Sequence, residues 1–316
     1  MRVVCLAGGV GGAKLADGLQ QILAPGELTV IVNTGDDLER HSLLICPDQD
    51  TVMYTLAGIG GSQGWGLAGE TWRVMGSLAR LGERTWFRLG DKDIATHLYR
   101  TERVRRGERL TDIAAELGRA LGVPSHVLPM TDAPVRTRVR TDDGWLDFQD
   151  YFVRMHQEPD VREVRFEGAD RAAITPEISA ALRAAELIVV APSNPIVSIG
   201  PILAVPGMLD EIGAARRRGV RAMGVSGIVG GKALRGPADR MLVGLGEEAS
   251  ALGVARRYAS AELLDTFVID TLDESLVAEV RSLGLKVVVT DTVMADAAGR
   301  VRLAREILAA AVGAPA

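Results

Sequence analysis

The run Cys5-Leu-Ala-Gly-Gly-Val-Gly-Gly-Ala-Lys14 sets four glycines where an apolar stretch, Arg2 to Ala7, gives way to helical apolar spacing from Ala13 to Leu23. Such a junction suits a buried strand that turns straight into a helix. In that arrangement the N–H groups of the turn converge, the helix dipole adds partial positive charge, and absent Cβ atoms let an anion come close. The junction is read as a site for a nucleotide or pyrophosphate. Two common fingerprints fail against it. Counted from Gly9, the dinucleotide pattern G-x-G-x-x-G requires glycine where Lys14 stands. The P-loop pattern fails here and again near Gly230-Gly-Lys-Ala233, where Ser226 takes the first glycine position and Ala233 replaces the magnesium-binding hydroxyl.

Apolar β-rich runs recur at 2–7, 28–33, 187–191, 221–226 and 286–290, several followed by helical periodicity. This alternation predicts an α/β, Rossmann-like fold, with a mainly parallel sheet and helices on both faces. The first helix carries Leu15, Leu19, Ile22 and Leu23 on one stripe and stops at Pro25-Gly26; Thr175-Pro176 reads as an N-cap followed by proline at the first helical position. The middle of the chain differs. Val135 to Thr141 alternates strictly, Asp142-Asp143-Gly144 turns, and Trp145 to Phe148 resumes an extended pattern, which predicts a β-hairpin. A helix starting near Thr111 places Ile113, Leu117 and Leu121 on one side. The expected division is a nucleotide-binding core over 1–94 and 171–316, with an inserted α/β lobe over 95–170. The final Gly-Ala-Pro-Ala is expected to fray.

The 316 residues are 47% hydrophobic, enough for a sizeable core, and carry a net charge of −5, without the basic excess of a nucleic-acid binder. The arginines at 103, 105, 106 and 109, and again at 216–218, read as solvated helix faces. Two cysteines, Cys5 and Cys46, offer neither a disulfide framework nor metal-ligand spacing, which fits a cytoplasmic protein. No apolar run approaches the length of a membrane span, so neither export nor insertion is expected.

Six aspartates lie in three loops: Asn33-Thr-Gly-Asp-Asp37, Cys46-Pro-Asp-Gln-Asp-Thr51 and Leu89-Gly-Asp-Lys-Asp93. In an open α/β sheet, loops at the carboxyl ends of neighbouring strands share one crevice with the glycine turn. Carboxylates there repel a phosphate unless a divalent cation intervenes, and Mg²⁺ held by one or two carboxylates and phosphate oxygens is the usual solution. Bland alternatives exist for each loop. Asp36 or Asp37 can end a strand, an aspartate there can also hold a ribose hydroxyl, Asp48 can cap a helix over 50–56, and Asp91 or Asp93 can be an N-cap beside Lys92.

Together these segments resemble the 2-phospho-L-lactate transferase family. The resemblance rests on Gly8-Gly-Val-Gly-Gly12, Asn33 to Asp37, Pro47 to Thr51 with Met53-Tyr-Thr-Leu56, and Leu89 to Asp93 with Ala95-Thr-His-Leu98. It continues through Pro129 to Asp132, Gly144-Trp145 with Phe148-Gln149, Ala191 to Pro195 with Ser198 to Ile202, and Gly231 to Asp239. Serine at 42 and glycine at 227 depart from it, where glycine and proline are usual.

The resemblance implies a Mg²⁺-dependent transferase of coenzyme F-420 biosynthesis, whose substrates are the deazaflavin alcohol FO and a guanosine diphosphate conjugate of a phosphorylated three-carbon acid (2-phospho-L-lactate, phosphoenolpyruvate or phosphoglycerate). The ribityl hydroxyl of FO attacks the phosphorus distal to guanosine and GMP leaves. On this chain the resemblance puts FO at Asp50 and Lys92. The guanosine diphosphate side falls on Gly9, Gly11, Gly12, Ser193, Asn194 and Ser198. Metal coordination is implied for Asp36 or Asp37 with Asp48 or Asp50, and catalysis for Asp50, Asp48 and Lys92, with Asp91 beside the substrate. Lys232 and Arg235 can close over the phosphates. A deazaflavin ring needs a flat apolar wall, for which Trp65, Trp72 and Trp86, with Tyr54 nearby, are the candidates. His97 is read as structural. A homodimer is expected. The rival readings are a nucleotide-sugar-binding regulator of the same superfamily and an NAD-dependent oxidoreductase, which would use the glycine turn and Asp36 alone.

Overall fold

The computed structural model describes residues 1–313. Seven strands form one sheet: β1 (Val3–Ala7), β2 (Leu28–Val32), β3 (His126–Pro129), β4 (Leu187–Val190), β5 (Arg221–Val225), β6 (Thr266–Asp270) and β7 (Lys286–Thr290). Their order is β7-β6-β5-β4-β1-β2-β3, and every pairing is parallel. The sheet extends the doubly wound order 3-2-1-4-5-6 by one strand, and its winding reverses between β1 and β4. On β1, Val4 and Leu6 enter the core on one side while Val3, Cys5 and Ala7 enter the core on the other, all of them buried. Two covered faces explain why the strands read as continuous apolar runs. β3 and β6 are absent from the five expected strands. A short apolar run does not by itself distinguish strand from buried helix, and both acquire their identity by pairing.

Five helices of the first half position the site: α1 (Gly9–Gln20), α2 (Pro47–Leu56), α3 (Arg73–Arg80), α4 (Asp93–Arg105) and α5 (Leu110–Ala120). The expected start at Thr175 holds, since its side chain accepts the Ile178 N–H at 3.3 Å.

The expected lobe boundaries change. α5 feeds β3, and β3 pairs along β2 from Thr29–His126 to Val32–Pro129, so residues up to 129 belong to the main sheet and its layer. The predicted hairpin is present as Arg136–Thr141 and Gly144–Asp147, with a third antiparallel strand, Glu163–Glu167, on its other edge. Val139 of this small sheet, with Phe148 and Tyr151 just after its hairpin, shares a core with Leu6 and Ile188, which packs the sheet against the main one. Of the tail, Gly313 ends the helix Ala297–Val312 in the left-handed conformation, and 314–316 lie outside the described residues.

The departure at Ser42 has a local consequence. His41 and Ser42 join the strands Leu38–Arg40 and Leu43–Ile45 with φ of +50° and +58°. A two-residue hairpin turn with both φ positive favours glycine at its second position. Ser42→Gly is therefore expected to stabilise the protein by about 0.5–1 kcal/mol, read as a higher denaturation midpoint with an unchanged slope.

Candidate functional site

The glycine turn differs from the expected loop, because α1 begins at Gly9 rather than Ala13 and takes the glycines into its first turn. Gly8 is extended and Gly9 has φ +62°. A Cβ at position 8 would sit 2.4 Å from Asp48 Oδ2 and 2.7 Å from Ser198 Cβ, so the close approach of three segments requires glycine there. Ser193, from the loop after β4, donates from Oγ to the Gly8 carbonyl at 2.8 Å and accepts the Gly8 N–H at 3.1 Å. The loops after β1 and β4 are thus stitched together at the reversal of strand order, where an open α/β sheet binds its ligand.

The Asp48 carboxylate faces this turn, with Asp36 beside it. Asn33, fully buried at the end of β2, donates from Nδ2 to Asp48 Oδ2 at 2.9 Å, to Asp36 Oδ1 at 3.3 Å and to the Val197 carbonyl at 3.2 Å. Its Oδ1 accepts the Gly35 N–H at 2.8 Å, which shapes the loop carrying Asp36. Gln149, from the segment after the hairpin, donates to the Asp36 carbonyl at 3.1 Å, and the Thr137 N–H reaches the Gly35 carbonyl at 2.6 Å. The small sheet therefore buttresses the aspartate loop. Burial pushes the Asp36 carboxyl well above the usual range, and the charges of Asp48 and Asp37 push it further. Burial raises Asp48 to about 6 although the Asn33 amide and the Gly9 N–H favour its charged form. Among the described residues neither has an ion-pair partner within salt-bridge distance. Two buried oxygen donors without a cation fit a hard divalent ion such as Mg²⁺.

A second group lies between α2 and α4. Asp50 is held by the guanidinium of Arg100, which is fully buried and bonds both carboxylate oxygens, Nη1 at 3.1 Å from Oδ2. His97 stands beside it, Nδ1 3.6 Å from Asp50 Oδ2 and Nε2 3.4 Å from Asp93 Oδ2. Tyr54 donates to Asp93 at 2.6 Å. Burial opposes ionisation of Asp93, but the nearby His97 ring, at 3.4 Å, and the Tyr54 hydroxyl bond outweigh it and hold the carboxyl below its ordinary value. Burial raises the Asp50 carboxyl despite the neighbouring Arg100 guanidinium. Asp50, Asp93 and His97 each offer an atom within 4.8 Å of the others, yet Arg100 already supplies Asp50 with a positive charge. Asp37 is raised to about 7 by burial, against the charge of Arg136 and the Cys46 thiol. The four aspartates thus separate: Asp36 and Asp48 gather around Asn33 without an ion-pair partner among the described residues, Asp37 lies by Cys46 and feels the charge of Arg136, and Asp50 is ion-paired to Arg100.

Other expected residues serve partly local ends. Asp91 caps α3, accepting the N–H groups of Arg73 and Val74 at 3.0 Å and the Thr71 hydroxyl at 2.5 Å. Lys92 is exposed and donates to the Ala68 carbonyl at 2.9 Å. Asn194 Oδ1 accepts the Ile196 N–H at 2.9 Å, which fixes the loop between Ser193 and the buried Ser198. Lys232 is exposed, and Arg235 donates to the Gln63 carbonyl at 2.5 Å, near enough to Lys14 to lower that amine's pKa after burial and Arg300. Tyr54 is buried; Arg88 covers Trp72 at 4.2 Å and Arg40 covers Trp86 at 5.4 Å, whereas Trp65 is 47% exposed. The arginine run at 103–109 makes surface pairs, such as Arg109 with Glu177.

Asn33, Arg100 and Gln149 join the site without having been assigned a role above, and His97, read above as structural, joins them. For two of them a signal exists in the spacing: Asp93, His97 and Arg100 fall at i, i+4 and i+7 and share a helix face once α4 is known to start at Asp93. Nothing local marks Gln149, whose place depends on the small sheet.

Residues 3–308 match the family model described as 2-phospho-L-lactate transferase CofD. A phosphoenolpyruvate transferase of Kitasatospora aureofaciens is 42% identical over 318 residues, covering 98% of each chain. A 2-phospho-L-lactate transferase of Methanosarcina mazei is 38% identical over 293 residues, covering 92% of this chain and 94% of that one. Among solved structures, a UPF0052-family protein of Bacillus halodurans covers 97% of this chain and 98% of its own at a TM-score of 0.62 and 16% identity, a likeness of fold. Among the described residues no helix is long and apolar enough to cross a membrane.

Proposed function

Since the chain belongs to the 2-phospho-L-lactate transferase CofD family, we propose that it is a cytoplasmic, Mg²⁺-dependent transferase of coenzyme F-420 biosynthesis. It moves a phosphorylated three-carbon acid from its guanosine diphosphate conjugate to the ribityl hydroxyl of FO. The hydroxyl oxygen attacks the phosphorus distal to guanosine, the pyrophosphate P–O bond breaks, and GMP departs with the electron pair.

The observation that carries this reading is the seating of Asp48 against the first turn of α1, beside Asp36 and without an ion-pair partner. A pyrophosphate drawn to those N–H groups meets two buried carboxylates, a combination that calls for a cation between them. When bound, Mg²⁺ offsets charge on the phosphates and stabilises the leaving group. The chain's own residues do the rest. The α1 amides and the Ser193–Ser198 loop hold the guanosine diphosphate side, while Asp50 orients the FO hydroxyl and accepts its proton. Lys92, at the N-terminus of α4, lies on the FO side.

The test is GMP release from protein incubated with FO, Mg²⁺ and a guanylylated donor. Conjugates of phosphoenolpyruvate, 2-phospho-L-lactate and phosphoglycerate form three arms, because relatives of both printed names match this chain at similar identity. Release with one donor and FO, and none without Mg²⁺, is expected; no GMP with any donor refutes the transferase reading.

A further inference from the structure

His97 is 1% exposed and stands between two carboxylates that come from different helices, Asp50 on α2 and Asp93 on α4. Its Asp93 contact is the i, i+4 pair of one helix and needs no tertiary structure to form. Its Asp50 contact exists only because side chains of α4 meet side chains of α2, and Tyr54 reinforces the arrangement by bonding both Asp93, at 2.6 Å, and Thr96, at 2.8 Å. Arg100 binds Asp50 through both oxygens. A guanidinium fork fixes the line between its nitrogens and the carboxylate, but a group approaching the same Oδ2 from another direction is needed to oppose rocking about that line. Nδ1 of His97 lies 3.6 Å from that oxygen and 3.5 Å from Arg100 Nη1, so the ring bears on both members of the ion pair.

Resting on the transferase reading above, we propose that His97 is a positioning residue, which fixes the Asp50 carboxylate in the orientation that receives the FO hydroxyl. The Nδ1 edge of the imidazole holds Asp50, while Asp93, bonded to Tyr54, ties α4 to α2. His97 itself touches neither substrate. Its removal is expected to act on turnover rather than on nucleotide affinity, since the guanosine diphosphate side lies at the glycine turn.

Two near-isosteric variants separate this role from simple anchoring of α4. Asparagine places an amide where Nδ1 is, keeping the Asp50 contact and losing Asp93. Glutamine places it where Nε2 is, keeping Asp93 and losing Asp50. In the GMP-release assay with FO, Mg²⁺ and the accepted donor, His97→Gln is expected to lose roughly 10–100-fold in kcat, the range typical of supporting-shell residues. His97→Asn is expected to stay within about fivefold of wild type, with KM for FO and the Kd for GDP changed less than about twofold in both. Equal kcat in the two variants, or the reverse order, overturns the proposal, because anchoring through Asp93 favours glutamine. Should either variant fail to fold, Asp93→Asn decides in its place: it leaves the His97–Asp50 face intact, so a loss beyond about tenfold in kcat overturns the role assigned to that face. Absence of GMP from wild-type protein overturns the transferase reading, and this inference with it.

Discussion

Asp50→Asn is expected to reduce turnover by about 10³-fold or more, within the range that a positioned proton acceptor contributes. The same change also has a structural effect, because Arg100 is fully buried and Asp50 is the carboxylate bonded to its guanidinium. An uncompensated buried charge costs about 3–5 kcal/mol, so the variant should show a lower denaturation midpoint as well as lost activity. The double variant Asp50→Asn/Arg100→Met separates the effects. Removing both charges should recover most of the lost stability, measured by denaturant unfolding, while GMP release stays absent. A single Asp50→Asn variant that keeps a tenth of wild-type kcat sinks the assignment of Asp50 to catalysis.

Asp36→Asn is expected to act in opposite directions on stability and activity. Burial and the charges of Asp48 and Asp37 disfavour ionised Asp36, so neutralising it should stabilise the metal-free protein by roughly 1–3 kcal/mol at pH 8. Loss of the proposed cation ligand should lower Mg²⁺-dependent turnover by about 10²-fold or more. The pH dependence gives an independent reading. Asp37 and Asp48 titrate at about 7 and about 6 in the folded chain, both raised above the ordinary carboxylate value by burial. Between about pH 4 and pH 7 the folded state therefore keeps protons that the unfolded chain has released. The stabilisation from these carboxyls is complete below their unfolded pKa and is lost as pH rises through the folded values. For the metal-free protein, the melting temperature should fall by roughly 5 °C between pH 5 and pH 8. Adding Mg²⁺ at pH 8 should restore it, since binding favours the deprotonated form. A melting temperature that rises over this range and ignores Mg²⁺ contradicts the assignment of Asp36 and Asp48.

The strand-to-helix glycine junction, the parallel α/β class and the hairpin around Asp142-Asp143 were legible in the linear chain because each is a local matter of periodicity or turn chemistry. The three aspartate loops were legible as well, and a family resemblance ordered them into one reaction. Their division of labour was not. Asp36 and Asp48 become a pair only because Asn33 reaches across from the end of β2 to both, at 3.3 and 2.9 Å. Asp91 lies one residue from Lys92 and yet caps α3, since the segment 71–74 folds back over it.

By itself the sequence determined which residue types meet at the carboxyl edge of the sheet, since short-range periodicity and glycine's freedom depend on neighbours along the chain. Only the tertiary structure decided which carboxylates are left open to a cation and which is neutralised. Charge and burial depend on what packs from elsewhere: Arg100 and His97 on α4 reach Asp50 on α2, and no feature of the segment 47–51 announces that they will.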